Sequence, residues 1–291
     1  MPGAKALPPD LVDLHRGYNR ETASNREWFA GHRARVTALI LEAAPGAAGA
    51  PPAGSCALLG AGNGNDVDLA ALLERFSEVH LVDLDREAIA AARAGLPDAL
   101  AARVLLHGPI DLGGGLRRLA SWRKRAVTPA ELGALPQQSA AEATAALSGR
   151  FDLVVSCCLL SQIVHTCDKV LGPQHGQLEA VACALVVAHM RTLAQLVRPG
   201  GRGLLITDTV SSETYPLEEL WGSKAPLALL DELELAQNQL SGTGPVFLRR
   251  ILRTDDVVAP LVGDVRLVEP WLWRFNQRLT LLAYALGFAR L

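Results

Sequence analysis

The chain has few aromatic residues. Phe, Trp and Tyr make up 5% of its 291 residues, against 49% for all hydrophobic types, so an aliphatic core is expected. It has no uninterrupted run of about 18 apolar residues, which leaves no expected membrane span. Its first residues, MPGAKALPPDLVDL, lack the basic start, apolar stretch and cleavage site of a secretory leader. There is no basic block, and the formal net charge is −2, which argues against nucleic acid as a main partner. The five cysteines, Cys56, Cys157, Cys158, Cys167 and Cys183, include no C-x-x-C pair. An odd, scattered set argues against a disulfide framework and against bound metal, and fits a cytoplasmic location.

What is present is an alternation. The length suits about two domains or one elaborated α/β domain. Residues 10–42 read as a helix in which Tyr18, Thr22, Asn25, Phe29, His32 and Val36 share a stripe, polar in its first half. Such a stripe serves either as a core-facing edge or as the inner face of a lid over a pocket. Residues 43–55, AAPGAAGAPPAGS, read as a linker. Strands follow at Ser55–Gly60, Val79–Asp83, Arg103–His107, Phe151–Ser156 and Arg202–Asp208. Helices fall at Asn65–Phe76, Arg86–Ala94, from Cys158 and at Leu178–Val197. This rhythm implies a parallel sheet, and runs such as DLVVSC suit strands buried on both faces. Residues 111–150 interrupt it with a glycine loop, a short basic helix at Leu116–Arg125 and an extended connection or small insertion from Thr128 to Arg150. Arg123-Lys124-Arg125 reads as a solvated face. Residues 211–256 read as a helical insertion carrying an exposed acidic run at Asp231–Glu234. Two closing strands are expected at Val257–Val268 and Arg278–Phe288, separated by Trp271 and Trp273.

The alternation centres on Ala57–Asp66, ALLGAGNGND, a strand, a glycine turn and a helix start. Glycines tolerate positive φ and admit a ligand close to the backbone. Asn63 suits an N-cap, with Asp66 favourably placed at the positive end of the dipole. The N–H groups of such a helix start could receive an anion. Gly60, Gly62 and Gly64 give G-x-G-x-G, one residue shorter than the dinucleotide fingerprint. Asp83 ends the second strand, where a carboxylate can take both ribose hydroxyls or, like Asp85, cap a turn. Ile110 and Asp111 follow the third strand, placed either to pack on adenine and accept its amine or simply to turn the loop. Ser156, Cys157 and Cys158 end the fourth strand, at the edge where open α/β sheets bind ligands.

Together these residues resemble the class I S-adenosylmethionine-dependent methyltransferases. The likeness lies in LLGAGNGND, HLVDLD, GPIDL, FDLVVSCCLLSQ and LVRPGGRGLLITD, in that order, over roughly residues 52–210. The Pro199-Gly200-Gly201 turn running into an apolar strand has no part in the dinucleotide fingerprint. The resemblance implies S-adenosyl-L-methionine as cofactor. Gly60, Gly62 and Gly64 would border its methionine part, Asp83 would hold the ribose, and Ile110 and Asp111 the adenine. Leu84 joins this set, and the main chain of Ser156 and Cys157 would lie near the reactive methyl. The fold implied is a Rossmann-like, doubly wound α/β sheet of seven strands with an antiparallel last strand, in three αβα layers. An N-terminal helical lid and linker (1–50) would precede the main domain (51–291).

On the acceptor side, positioning alone can drive methyl transfer, and a general base can help a hydroxyl or carboxyl. His165 is the candidate base, on a polar face with Ser161, Gln162 and Lys169; an exposed polar face is the alternative. His32 reads as a core histidine, and His189 sits mid-helix. Asp208 ends the fifth strand as base or turn cap. The Asn/Asp-Pro-Pro-Tyr/Phe tetrapeptide of enzymes that methylate exocyclic amines of nucleic acids or glutamine is absent, as is the Pro-Cys pair of cytosine-C5 enzymes. The expected activity is methyl transfer to a small molecule, with no membrane partner. A nicotinamide oxidoreductase and a non-catalytic cofactor-binding protein are the alternatives.

Overall fold

The computed structural model describes residues 6–46, 49–147 and 149–291. The expected 1–50 segment and 43–55 linker therefore fall partly outside the described residues. Seven strands form one sheet: β1 Ser55–Leu59, β2 Glu78–Val82, β3 Val104–His107, β4 Phe151–Cys157, β5 Val197–Ser211, β6 Val262–Arg274 and β7 Thr280–Arg290, in the order β3-β2-β1-β4-β5-β7-β6. The first five run parallel, and β7 runs antiparallel to both β5 and β6. This is the expected Rossmann-like sheet, antiparallel last strand included. The strand order reverses between β1 and β4, and a ligand crevice belongs outside the carboxyl ends at such a point.

Burial of β1 and β4 on both faces explains their uninterrupted apolar sequences. One face is covered by α6 Leu116–Trp122, α7 Pro129–Ala145, α8 Leu159–Leu171 and α9 Leu178–Leu196, through Leu119, Leu135, Leu160 and Leu185 among others. The other is covered by α2 Ala30–Ala43, α3 Leu69–Leu73 and α4 Arg86–Ala94, through Val36, Ile40, Leu72 and Ile89. By length and composition α9 could cross a membrane, but 56% of its apolar window is buried in the protein, as befits a core helix.

Several expectations need correction. Residues 10–42 form two helices, α1 Pro9–Thr22 and α2, because the chain turns over residues 23–29. Ser24 and Asn25 favour turns through local side-chain bonds, and the Asn25 amide reaches across to the Phe275 carbonyl. The first crossover helix does not start at Asn65. Asp68 caps it by accepting from the Ala70 and Ala71 N–H groups. The stretch expected to be an extended connection contains the 17-residue α7. A capping box between Thr128 and Glu131 starts it, and small residues Ser139, Ala140 and Ala143 are buried in it. That gives little hydrophobic contrast for a sequence reading to catch. The Arg198–Gly201 stretch is not a tight turn ahead of the strand but the first part of β5, bulged where its register with β4 shifts. Trp271 and Trp273 do not separate the closing strands; both lie within β6, two residues apart and on one face. The 211–256 region does hold helices, α10 Leu217–Leu220, α11 Pro226–Leu235 and α12 Pro245–Thr254.

Candidate functional site

At the end of β1 the backbone takes positive φ at Gly60 (76°), Gly62 (46°) and Gly64 (67°). A side chain at Gly60 would place its Cβ 3.3 Å from the Cys157 carbonyl oxygen and 3.2 Å from Leu159 Cβ, so glycine is what lets this turn lie against the end of β4. Asp83, just past β2, ties the turn down. Its Oδ2 accepts from Gly62 N–H and its Oδ1 from Asp85 N–H, both at 2.8 Å. A carboxylate offers about four acceptor positions, so two remain for a ligand. Burial pushes the Asp83 carboxyl up to about 6, against the pull of these two N–H groups.

Asn63, the expected N-cap, has a different partner. Its Nδ2 donates to the Asn19 carbonyl at 2.6 Å, and the Asn65 amide donates to the Thr22 carbonyl at 2.8 Å. The Asn19 amide in turn donates to Asp85 Oδ2. Three amides thus fasten α1 across the glycine turn, while Leu11 packs against Leu84 and Leu116.

Two clefts meet at this turn. The first, of about 480 Å³, is lined by Gly60, Asp83, Leu84, Ile110, Asp111 and, from α1, His15. Asp111 also organises its own loop, accepting from the N–H groups of Gly114 and Leu116 at 2.9 Å each. Burial raises its pKa. The second cleft, of about 910 Å³, lies between α1, α8 and the aromatic end of β6; Gly62, Asp66, Ser161, His165, Asp208 and Trp273 are in its wall. Gly60 and Gln162 line both.

The structure therefore brings Gly60, Asp83, Leu84, Ile110 and Asp111 into one cleft and places Gly62 in the other. Gly64, Ser156 and Cys157 line neither. A Cβ at Gly64 would sit 3.2 Å from Ala92 Cβ, so that glycine serves helix packing. Cys157 is buried and its thiol is pushed well above the usual range; only its carbonyl approaches the turn. His165 is exposed on α8 at the rim of the second cleft. Among the described residues, no group of three or more His, Cys, Asp or Glu is placed to hold a metal.

Ser156 has a bracing role. Its Oγ lies 2.8 Å from His189 Nε2, and His189 Nδ1 lies 3.3 Å from the Leu112 carbonyl. A carbonyl only accepts, so Nδ1 carries the proton and Nε2 accepts from the serine. This chain couples β4 to the loop that holds Ile110 and Asp111. Burial holds the His189 imidazole down to about 4, so it stays neutral in the folded protein while an unfolded histidine protonates below about 6.5. The unfolded state then binds more protons between those values, and the stability this group supports is lost as pH falls through that window. The unfolding free-energy advantage of the wild type over His189→Gln is expected to shrink by about 2 kcal/mol from pH 7.5 to pH 5, as read by urea titration of tryptophan fluorescence. An unchanged gap would contradict a buried neutral imidazole.

In the second cleft, Ser161 Oγ donates to Asp208 Oδ1 at 2.7 Å, and burial raises the Asp208 pKa. Behind Asp66 lies His32, fully buried. Trp271 Nε1 donates to its Nδ1 at 3.2 Å, Trp273 stacks on it at 4.1 Å between centroids, and its Nε2 lies 3.3 Å from Asp66 Oδ1. The indole only donates, so the His32 proton is on Nε2, toward Asp66. Asp66, expected as a first-turn acid, and Trp273, expected between the closing strands, both line this cleft. Their local signal is weak: an acid after a glycine turn resembles a helix-start acid, and Trp-Leu-Trp is a short stretch of strand alternation.

No family model matches the chain, and no curated protein matches it. Among solved structures it is similar to an O-methyltransferase family protein from Burkholderia thailandensis, with 17% identity and a TM-score of 0.38 over 81% of this chain and 50% of that one. The chain thus spans half the length of that protein. It is similar to the N-methyltransferase NodS from Bradyrhizobium japonicum WM9, with 10% identity and a TM-score of 0.42 over 91% and 97% of the two chains. It is also similar to magnesium protoporphyrin IX methyltransferase (ChlM) from Synechocystis PCC 6803, solved with bound SAH, with 13% identity and a TM-score of 0.41 over 94% and 84%.

Proposed function

We propose that this protein is a class I S-adenosylmethionine-dependent methyltransferase acting on a small molecule. The observation that carries this reading is the convergence of Gly60, Asp83, Leu84, Ile110 and Asp111 on one cleft where the strand order reverses. The residues fit the cofactor. Asp83 keeps two acceptor positions for a ribose diol, Ile110 offers an apolar surface to adenine, and Gly60 lines both clefts. Bound S-adenosylmethionine would supply an electrophilic methyl on a sulfonium. The chain's own part is to bind, align and exclude water: α1 covers the clefts through His15, Tyr18 and Thr22. Ser161, Asp208 and His165 stand on the acceptor side, where Asp208 can take a proton.

A nicotinamide dinucleotide fits less well. Its pyrophosphate needs free N–H groups at a helix start, and here Asp68 already engages those of Ala70 and Ala71. The five free thiols support a cytoplasmic location. Isothermal titration with S-adenosylhomocysteine tests the reading. Micromolar binding is expected, with none for NADH; the reverse pattern would overturn it.

A further inference from the structure

We propose that the second cleft binds a cationic amine on an apolar skeleton, and that the methyl acceptor is that amine nitrogen. This inference rests on the methyltransferase reading above and concerns the second cleft.

Three acids line the cleft: Glu21 at its exposed edge, and Asp66 and Asp208 deeper in. Among the described residues, no lysine or arginine lines it. An acceptor bearing a carboxylate or phosphate would meet three acids there, set against no fixed cation but the exposed rim imidazole of His165. The remaining wall is aromatic. Tyr18, Phe29, Trp273 and Phe275 all line the cleft, in a chain with only five Trp, three Tyr and six Phe. Acids together with aromatic faces are what a desolvated ammonium requires, since ring quadrupoles attract cations and carboxylates pair with them.

One of these acids is also short of a partner. Asp66 Oδ1 is buried and makes no aligned hydrogen bond, although His32 Nε2 is close by. Buried polar atoms normally have partners, and an ammonium N–H is a donor that a carboxylate oxygen accepts.

The transfer balances. The lone pair of the neutral amine forms the N–CH₃ bond as the S–CH₃ bond breaks, and the pair of that bond stays on sulfur. The extra proton on nitrogen passes to the Asp208 carboxylate, which Ser161 orients, and from there to solvent. An amine entering as ammonium first gives up a proton by the same route.

The test uses the full chain saturated with S-adenosylhomocysteine and three series of probes of matched size: primary and secondary arylalkylamines such as 2-phenylethylamine, the corresponding alcohols such as 2-phenylethanol, and carboxylates such as 3-phenylpropanoate. Titration calorimetry is expected to show the best amine binding at least about tenfold more tightly than its alcohol, with the carboxylates not binding. Asp66→Asn and Asp208→Asn should each weaken the amine about tenfold while leaving S-adenosylhomocysteine affinity unchanged, which also shows that the variants are folded. Methyl-labelled S-adenosylmethionine should then label the amine. If S-adenosylhomocysteine binds but no amine outcompetes its alcohol, or a carboxylate binds best, this inference is overturned and the methyltransferase reading stands. If S-adenosylhomocysteine does not bind, the cofactor reading fails first.

Discussion

Replacing Asp83 with alanine is expected to weaken S-adenosylhomocysteine binding by about 10²- to 10⁴-fold. Two ribose hydroxyls donating to a buried carboxylate make charge-assisted bonds worth about 1.5–3 kcal/mol each, and every 1.4 kcal/mol is tenfold in affinity. The wild type should also show a pH signature that the variant lacks. Hydroxyl donors stabilise the ionised carboxylate, and in the free protein this group titrates at about 6. Below that pH an increasing share of the protein carries a neutral Asp83, and the proton must leave before the diol binds. Affinity should therefore fall about tenfold per pH unit below pH 6 and be flat above pH 7. Asp83 also anchors Gly62 and Asp85 N–H, so part of the alanine effect comes from a loosened turn. Asp83→Asn separates the two contributions. It keeps an acceptor oxygen for one N–H, loses the charge, and should show weakened binding without the pH dependence. Calorimetric titration from pH 5 to pH 8 decides: a dissociation constant for Asp83→Ala within threefold of wild type would remove Asp83 from the ribose site.

The legibility of this site in the sequence follows physical lines. Strand ends and glycine turns announce themselves locally, because positive φ selects glycine and a buried parallel strand selects continuous apolar residues. That is why Gly60, Asp83, Ile110 and Asp111 could be named before the fold was known. What could not be read is tertiary. The α1–glycine turn junction depends on Asn19, Asn63 and Asn65 meeting across more than 40 positions of chain, and an asparagine that holds a distant carbonyl looks like any turn asparagine. The second cleft draws on α1, the glycine turn, α8, β5 and β6 at once, so Asp66, Asp208 and Trp273 have no shared local pattern. The helix α7 escaped for the opposite reason: its Thr128/Glu131 capping box was legible, but its buried face is too small-residued to give a period.

The three glycines illustrate the same division, and they separate binding from folding. In sequence they are equivalent; in the structure only Gly60 lines both clefts. A methyl group at Gly60 meets the Cys157 carbonyl, which is backbone, and Leu159 Cβ at 3.2–3.3 Å, so neither neighbour can yield without shifting the ends of β4 and α8. Its positive φ adds about 1–2 kcal/mol of strain for any other residue. Gly60→Val goes further, since two branches add bulk at a residue that lines both clefts. Turnover with the best acceptor is expected to fall by about 10³-fold or more, because reactants held apart lose the positioning that drives the transfer, and S-adenosylhomocysteine affinity should fall with it. Gly64→Ala meets Ala92 Cβ instead, on α4 and away from both clefts. It carries similar φ strain and should lower the melting temperature by several degrees while the folded fraction binds S-adenosylhomocysteine within about twofold of wild type. Thermal melts and titrations on the two variants side by side check this. Equal losses of binding would mean that the turn acts as one rigid unit and that Gly60 has no separate place at the junction of the clefts.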